Sequence, residues 1–240
     1  MDTNAGTAPS APKVLLIEDA EDWRQLLTTA FQGAGFTTLS VGDGNQAVGA
    51  FLEFQPDLVL LDLMLPGMFG DKVCEQIRLV STVPLIVHSG LAGEMGKVES
   101  LRVGADDYVV KGTSLRELIA RARASIRRAG GTTVALATQS PYRDAVMTID
   151  FSEQVVSIRG VPVQLTPIEY QLLSMLVANP GKTFRAVELL KEVWGPEYAT
   201  AALVKWHIGR LRKKVELDPK TPDLIVTRWG YGYAYLPPSV

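Results

Sequence analysis

Five short apolar runs, each followed by an amphipathic stretch, fill residues 13–128 of this chain. The runs read KVLLIED, TTLSV, PDLVLLD, PLIVHS and DDYVVK. Buried strands that alternate with helices are typical of a parallel sheet whose two faces are both covered by helices. The alternation therefore predicts an α/β domain with a doubly wound sheet of five parallel strands.

A second domain is predicted because 240 residues exceed the usual length of a single core. Residues 129–145 contain AGGTTVALATQSPYR, which lacks helical periodicity and is rich in turn-forming residues, as linkers are. Residues 1–12 are small, polar and contain proline, which predicts a disordered tail. Residues 13–128 and 146–238 are then the two folded domains.

Charge is distributed unevenly between the two halves. Residues 1–130 hold 12 Lys and Arg against 16 Asp and Glu, whereas residues 131–240 hold 12 against 10, which gives −4 and +2. The second half is therefore the better candidate for a polyanionic partner. No stretch has the length of a membrane span or the pattern of a signal peptide, and Cys74 has no partner for a disulfide. We expect a cytoplasmic protein with no membrane partner.

Polar side chains follow four of the five predicted strands. Glu18 and Asp19 follow the first, Asp62 the third, Ser89 ends the fourth and Lys111 follows the fifth. The carboxyl ends of parallel strands meet at one edge, and carboxylates brought together there need a hard cation or an ammonium group to offset their repulsion. The set predicts a Mg²⁺ site where one carboxylate attacks a phosphoryl group. A lone strand-end Asp more simply caps a loop, but five aligned positions favour the site.

The motifs IED at 17–19, LLDLMLPG at 60–67, IVHSG at 86–90 and GADDYVVK at 104–111 resemble those of the flavodoxin-like receiver domains of two-component response regulators. The resemblance implies that a sensor histidine kinase phosphorylates Asp62. It also implies that the domain has no enzymatic activity beyond assisting its own phosphorylation and dephosphorylation. Mg²⁺ would be bound by Asp19, Asp62 and the main-chain carbonyl of Met64, with Glu18 acting through water.

The same resemblance assigns roles to three residues around the acidic pocket. Ser89 takes the place of the switch hydroxyl, Lys111 would pair with the phosphoryl oxygens, and Tyr108 stands at the switch aromatic position. The family usually has a proline in a cis peptide after the lysine, where this chain has Gly112. Because a cis bond before a residue other than proline costs about 2.5–4 kcal/mol, we expect a trans or mobile loop here.

The second domain begins with three predicted strands, VMTID, QVVSIR and VPVQL. Three helices are predicted after them, over residues 166–178, 185–193 and 201–215, and the first opens with the capping-box sequence TPIE. The chain closes with LIVTRWGYGYAYL, which predicts a two-stranded hairpin. The order of these elements is three strands, three helices and a hairpin.

The helix predicted over residues 201–215 combines an apolar face with many cations. Val204, Ile208, Leu211 and Val215 form the apolar face. The helix also carries five bases and no acid: Lys205, Arg210, Arg212, Lys213 and Lys214. Such a helix can neutralise phosphates and reach base edges, although a charge run is also common on a solvated face. Trp206 lies about 200° from Val204 and is predicted to be exposed, the alternative being that it packs under the hairpin.

Residues 146–237 resemble the winged-helix output domain of OmpR/PhoB-type regulators, with its β platform, three helices and wing. By that resemblance residues 201–215 are the recognition helix and residues 224–236 the wing, with Tyr231 and Tyr233 mainly structural. The candidate DNA contacts are Lys205, Trp206, His207, Arg210, Arg212, Lys213, Lys214, Arg228 and Trp229.

The leading hypothesis is a transcription regulator that is phosphorylated at Asp62, forms a homodimer through its receiver and binds repeated half-sites in double-stranded promoter DNA. RNA polymerase is an expected partner. The candidate dimer face consists of Lys97, Asp106, Asp107, Glu117, Arg121 and Arg123. A DNA-binding regulator that does not depend on phosphorylation is the alternative, motivated by Ser89 and Gly112. An aspartyl phosphohydrolase is disfavoured because it needs a second acid two residues after Asp62, where Met64 stands.

Overall fold

A computed structural model describes residues 10–90, 104–130, 140–195, 198 and 201–238. The first domain contains a parallel sheet with the strand order β2-β1-β3-β4-β5. The strands are β1 (Lys13–Ile17), β2 (Thr37–Val41), β3 (Leu58–Leu61), β4 (Leu85–Ser89) and β5 (Asp107–Val110). The predicted five-stranded doubly wound sheet is confirmed.

Four described helices cover the two faces of this sheet. They are α1 (Glu21–Gly33), α2 (Gly44–Phe54), α3 (Gly70–Val80) and α4 (Leu115–Gly130). A further helix, predicted between β4 and β5, falls outside the described residues, and so does the candidate dimer residue Lys97. None of the described helices combines the length and the apolar character that crossing a membrane requires.

Strand β3 shows why an apolar run precedes Asp62. Val59 and Leu61 belong to the core on one face of the sheet, while Leu58 and Leu60 belong to the core on the other. Because β3 is central, both of its faces must be apolar. The charge comes only at the residue after the strand, where the chain reaches the edge of the sheet.

The second domain joins an antiparallel sheet, three described helices and a hairpin. Its elements are β6 (Tyr142–Arg143), β7 (Met147–Asp150), β8 (Val155–Ile158), β9 (Val161–Pro162), α5 (Pro167–Val177), α6 (Ala186–Val193), α7 (Ala202–Val215), β10 (Ile225–Arg228) and β11 (Gly232–Tyr235). The predicted order of strands, helices and hairpin is confirmed. Strand β6 pairs with β7 although the sequence assigned its residues to the linker.

Two local features position α5 and the hairpin. A capping box begins α5, in which the Glu169 carboxylate accepts a hydrogen bond from Thr166 N at 2.9 Å. The hairpin returns to the domain body at Gly232, where an added Cβ would lie 1.9 Å from the carbonyl oxygen of Phe184. Only glycine fits this close approach, which holds the hairpin against the segment before α6.

Candidate metal centre and nucleic-acid interface

Three carboxylates meet at the carboxyl edge of the parallel sheet. Oxygen atoms of Glu18, Asp19 and Asp62 lie within 4.8 Å of one another. Glu18 and Asp62 follow neighbouring strands, since Ile17 pairs with Leu61, and both side chains are buried. Three carboxylate oxygens at this spacing suit a hard divalent cation such as Mg²⁺.

Lys111 partly neutralises this cluster. Its Nζ lies 2.5 Å from Asp62 Oδ2 and 2.7 Å from Glu18 Oε1. Burial alone would lower the pKa of Lys111, but hydrogen bonds to both carboxylates outweigh it and raise that pKa. Burial raises the pKa of Glu18, and the nearby ammonium group opposes this effect. The ammonium is therefore a fixed positive charge beside Asp62.

The loop after Lys111 does not need a cis peptide to achieve this placement. The Lys111–Gly112 bond is trans, and Gly112 has a φ of +104°, a conformation that glycine adopts at little cost. Met64 is held on the other side of Asp62, because its N–H donates to Asp62 Oδ1 at 3.2 Å. The Met64 side chain is exposed.

A chain of contacts leads from the pocket to the far edge of the sheet. The buried Ser89 side chain forms a hydrogen bond with Tyr108. Burial and the charge of Asp62 raise the pKa of Tyr108, while this hydrogen bond opposes the shift. Tyr108 N in turn donates to Asp107 Oδ1 at 2.8 Å. Pocket and edge are thus linked by two adjacent residues of β5.

His88 is a buried neighbour of the pocket. Its ring stacks on Trp23 with centroids 5.8 Å apart. Neither ring nitrogen has a hydrogen-bond partner among the described residues. Burial, with a contribution from Lys111, lowers the pKa of His88 to about 4, so the ring is neutral at pH 7.

The apolar face predicted for α7 is confirmed, since Val204, Ile208, Leu211 and Val215 are all buried. The basic residues behave differently. Arg210 and Lys214 pair with the buried Glu169 of α5, at 3.3 and 2.6 Å. The two cations outweigh burial and lower the pKa of Glu169.

Two further α7 residues are also engaged within the chain. Arg212 donates to Ile225 O at 2.8 Å and to Thr227 Oγ1 at 2.9 Å, which ties the helix to the hairpin. Trp206 is partly buried and packs against the core, so the prediction that it is exposed was wrong. Among the candidate DNA contacts that the structure describes, the exposed ones are Lys205, Lys213, Arg228 and Trp229.

Asp107, a candidate dimer residue, is buried against the second domain. Tyr198 Oη donates to Asp107 Oδ2 at 2.8 Å, and the Arg121 guanidinium lies 4.2 Å from the centre of the Tyr198 ring. Arg121 also pairs with Asp107 at 3.3 Å and with Glu117 at 2.7 Å. Burial raises the pKa of Asp107, and Arg121 and the Tyr198 hydroxyl oppose that shift. This acid and its cation are thus occupied within one molecule.

Main-chain carbonyls beside Asp107 accept three more contacts from the second domain. His207 Nε2 lies 3.2 Å and Trp194 Nε1 3.4 Å from Asp106 O, and Arg210 donates to Ala105 O at 3.4 Å. A carbonyl only accepts, so Nε2 of His207 carries the proton. With the two domains docked, the predicted DNA contact His207 is fully buried at this interface.

Two candidate dimer residues face other parts of the receiver. The Asp106 carboxylate pairs with Arg78 at 2.7 Å and accepts from Leu85 N at 2.9 Å. Arg123 donates to Ala34 O at the end of α1, about 200° around α4 from Arg121. These two side chains therefore lie outside the face formed by Asp107 and Arg121.

Comparison with known proteins assigns each domain to a family. The receiver domain family of response regulators matches residues 14–123, and the family described as the C-terminal domain of transcriptional regulatory proteins matches residues 160–235. The structure of a mutant of RitR covers 95% of this chain and all of its own, with a TM-score of 0.75 at 23% identity, and therefore supports the fold.

Relatives match over nearly the full length. The DNA-binding response regulator MtrA of Mycolicibacterium smegmatis is 39% identical over 227 residues, which cover 94% of this chain and 97% of MtrA. The sensory transduction protein RegX3 of the same organism is 41% identical over 221 residues, or 92% of this chain and 97% of RegX3. The chain therefore belongs to the two-component response regulators of the OmpR/PhoB type, which join a receiver to a DNA-binding domain.

Proposed function

We propose that this response regulator is controlled by transfer of a phosphoryl group from a sensor histidine kinase to Asp62, in the cytoplasm, where promoter DNA is available. The observation that carries the proposal is the convergence of Asp62 with two other carboxylates and with Lys111, whose Nζ lies 2.5 Å from Asp62 Oδ2. A nucleophilic carboxylate beside a cation and an oxygen-rich metal site suits phosphoryl transfer.

In the transfer, an oxygen of Asp62 attacks phosphorus, an O–P bond forms, and the N–P bond to the kinase histidine breaks. Lys111 offsets the negative charge of the phosphoryl oxygens, and the Met64 N–H holds Asp62 Oδ1 in place. Glu18, Asp19, Asp62 and the main-chain carbonyl of Met64 would hold Mg²⁺, which supplies further positive charge when bound. Attack by water on the same phosphorus would break the Asp62 O–P bond, release inorganic phosphate and restore the carboxylate.

The contacts that start at Ser89 supply a path for the signal. A phosphoryl group on Asp62 gives the Ser89 hydroxyl a new acceptor, which competes with its hydrogen bond to Tyr108. Tyr108 is joined through Asp107 to Tyr198 of the second domain. Phosphorylation thereby weakens the docking of the DNA-binding domain on the receiver.

Release of that domain would also permit dimerisation. Asp107 and Arg121 cannot contact a second receiver while Tyr198 covers them, so undocking and pairing are coupled. Two paired receivers would place two copies of α7 on repeated promoter half-sites, in reach of RNA polymerase. The undocked, dimeric protein is therefore the form that binds DNA.

Replacement of the phosphoacceptor tests the proposal. Asp62→Asn should abolish uptake of labelled phosphoryl from acetyl phosphate in the presence of Mg²⁺, because an amide is a poor nucleophile. Glu53→Gln, which alters an exposed receiver carboxylate on α2, is the matched control and should label normally. Undiminished labelling of Asp62→Asn would contradict the assignment of Asp62 as the phosphoacceptor.

DNA affinity with and without the phosphoryl donor separates this proposal from phosphorylation-independent binding. We expect the donor to increase affinity in the wild-type chain and to have no effect in Asp62→Asn. Equal affinities for the wild-type chain with and without donor would support the alternative instead.

A further inference from the structure

His207 of α7 lies at the contact between the two domains, and it is one of only two histidines in the chain. Nε2 of its fully buried ring lies 3.2 Å from Asp106 O of the receiver, and the ring centre lies 5.2 Å from that of Trp194. The other ring nitrogen, Nδ1, is buried without a hydrogen-bond partner among the described residues. The receiver therefore forms part of the surroundings of this ring, and separation of the domains must change them.

These surroundings suit the neutral form of the ring. Because Asp106 O only accepts, the single proton of a neutral His207 is on Nε2. A second proton would bind to Nδ1, for which the described residues offer no acceptor. Burial of a charged group without a partner is strongly unfavourable. The docked arrangement of the domains therefore disfavours the protonated ring.

Charged groups face His207 from three elements. They are Arg210 on α7 itself, Glu169 on α5 and Asp106 just before β5. The two acids favour a second proton, but each is already paired, Asp106 with Arg78 of α3 and Glu169 with two cations of α7. Burial, with a contribution from Arg210, outweighs the acids and lowers the pKa of His207 to about 4.

Asp107 is a second titratable group at which the two domains meet. Its carboxylate accepts from Tyr198 Oη at 2.8 Å and pairs with Arg121 at 3.3 Å. Burial raises the pKa of Asp107, and its protonation would weaken the pair with Arg121. Nearby, Arg128 donates to Trp194 O at 3.0 Å, and an arginine keeps its charge at every relevant pH. An experiment on the histidine must therefore separate it from Asp107.

We propose that proton uptake by His207 releases the DNA-binding domain from the receiver, so that acid acts beside phosphorylation of Asp62 as a second signal for undocking. In the released form the ring meets water, and it takes up the second proton near the ordinary pKa of 6.5. The docked form takes it up only near pH 4, so docking is strongest above pH 6.5 and weakens as pH falls. The inference rests on the proposed function in one respect, which is that the released form binds DNA.

Energy transfer between two dyes on single molecules of the full chain measures the docked and released populations. The dyes are attached at Glu53→Cys in the receiver and Lys220→Cys in the second domain, which are both exposed positions, whereas the native Cys74 is buried. No phosphoryl donor and no DNA are present. Between about pH 7.5 and about pH 5.5, the ratio of released to docked molecules should rise about tenfold.

Two substitutions fix the charge at position 207. His207→Gln keeps an N–H donor for Asp106 O but cannot be protonated, so its ratio should change less than about twofold over the same range. His207→Lys carries a charge throughout and should be released more than the wild-type chain at about pH 7.5. His88→Leu removes the other histidine and is the matched control, which should respond to acid as the wild-type chain does.

Two variants extend the measurement. Tyr198→Phe deletes the hydrogen bond to Asp107 and should raise the released population up to about fivefold, which brings a small population into range. Asp107→Asn removes the second titratable group. Both variants should keep the response to acid, because both retain His207.

Two outcomes would overturn the inference. If His207→Gln responds to acid as strongly as the wild-type chain does, the proton acts at another group, such as Asp107. If the wild-type ratio is the same at both pH values in the Tyr198→Phe background as well, acid does not control docking. The proposed function can fail separately, because an acid-released chain that gains no affinity for DNA would contradict that function while the role of His207 in docking stands.

Discussion

The acidic pocket and helix α7 are two clusters of charge that can both be recognised from the sequence. The charged side chains lie where the sequence predicts in the pocket, but mostly do not on α7. In the pocket, Glu18, Asp19 and Asp62 converge as the strand ends predict, and Lys111 pairs with two of them. On α7, three of the five bases face the protein instead of solvent: Arg210, Arg212 and Lys214.

The difference lies in what determines the direction of each side chain. Residues at the ends of parallel strands are brought together by the backbone, whose topology follows from the order of apolar runs. The direction of a helical side chain depends on its neighbours, and for α7 the decisive one is Glu169, which is 45 residues before Lys214. Charges that the main chain assembles are thus more predictable than charges that another element recruits.

On the α7 side of this comparison, Glu169→Gln is expected to have the largest effect of the variants considered. Loss of the carboxylate leaves Arg210 and Lys214 without their counterion, and breaking a buried pair costs about 3–5 kcal/mol. We expect a fall of about 3 kcal/mol in the free energy of unfolding, measured in urea. Glu188→Gln changes the matching capping-box position of α6, where Glu188 pairs with the exposed Arg185, and should lower the free energy of unfolding far less.

The two histidines give a second, slightly smaller test. The pKa of each is lowered to about 4 by burial, below the ordinary value of 6.5. As pH falls, the unfolded chain takes up protons first, so the stability from each neutral ring is complete above pH 6.5 and declines towards pH 4. The loss from each can reach about 3 kcal/mol.

Substitution distinguishes the environments of the two rings. His88→Leu removes its share of the pH dependence and should leave stability at neutral pH unchanged, because the ring nitrogens have no described partner. His207→Leu also loses the contact with Asp106 O and should cost about 1 kcal/mol at neutral pH. Urea unfolding near pH 7 and about pH 5 measures both. Identical behaviour of the two variants would contradict the described contacts.

In the acidic pocket, removal of the Lys111 ammonium group tests how its charge affects metal binding. Without its ammonium group, Lys111→Met leaves the three carboxylates more negative, so Mg²⁺ affinity should rise about tenfold in titration calorimetry. Lys72→Met, which removes an exposed lysine paired with Glu75, should leave that affinity unchanged. A weaker Mg²⁺ interaction in Lys111→Met would show that the lysine positions the carboxylates instead of competing with the metal.

The smallest expected effect concerns the docking of the two domains. Tyr198→Phe deletes the hydrogen bond to Asp107, worth about 1 kcal/mol, and should raise the DNA affinity of the unphosphorylated chain up to about fivefold. Tyr142→Phe removes a similar bond to Asp144 within the second domain and should not change the affinity. An unaltered affinity for Tyr198→Phe would mean that docking does not limit DNA binding.

Most of the fold could be predicted because apolar periodicity and turn residues specify the elements and their order. Strand β6 could not, because its two residues lie in a stretch whose composition is that of a linker. In the pocket, the expectation of a trans or mobile loop at Gly112 left the position of Lys111 open. Its reach to Asp62 depends on the whole path of the β5 loop, and no local pattern encodes that path.

The surface of α7 was predicted less well for a related reason. Helical periodicity identified one buried face, but His207 lies on a second buried face, which packs against the receiver. No period within the helix can reveal a neighbour that comes from another domain. One sequence feature could have indicated this second buried face. A histidine, His207, stands directly before Ile208 of the apolar face, on a helix whose other polar residues are mostly cations.

The acceptors at Ala105 and Asp106 are main-chain carbonyls, and every residue type supplies one. Substitution at these two receiver positions cannot delete the acceptors, so variation in the strength of these three contacts comes from the donors, Trp194, His207 and Arg210. Substitutions in the DNA-binding domain alone can therefore change how strongly that domain docks on the receiver in the unphosphorylated protein. The receiver residues that take part in phosphorylation then need no change.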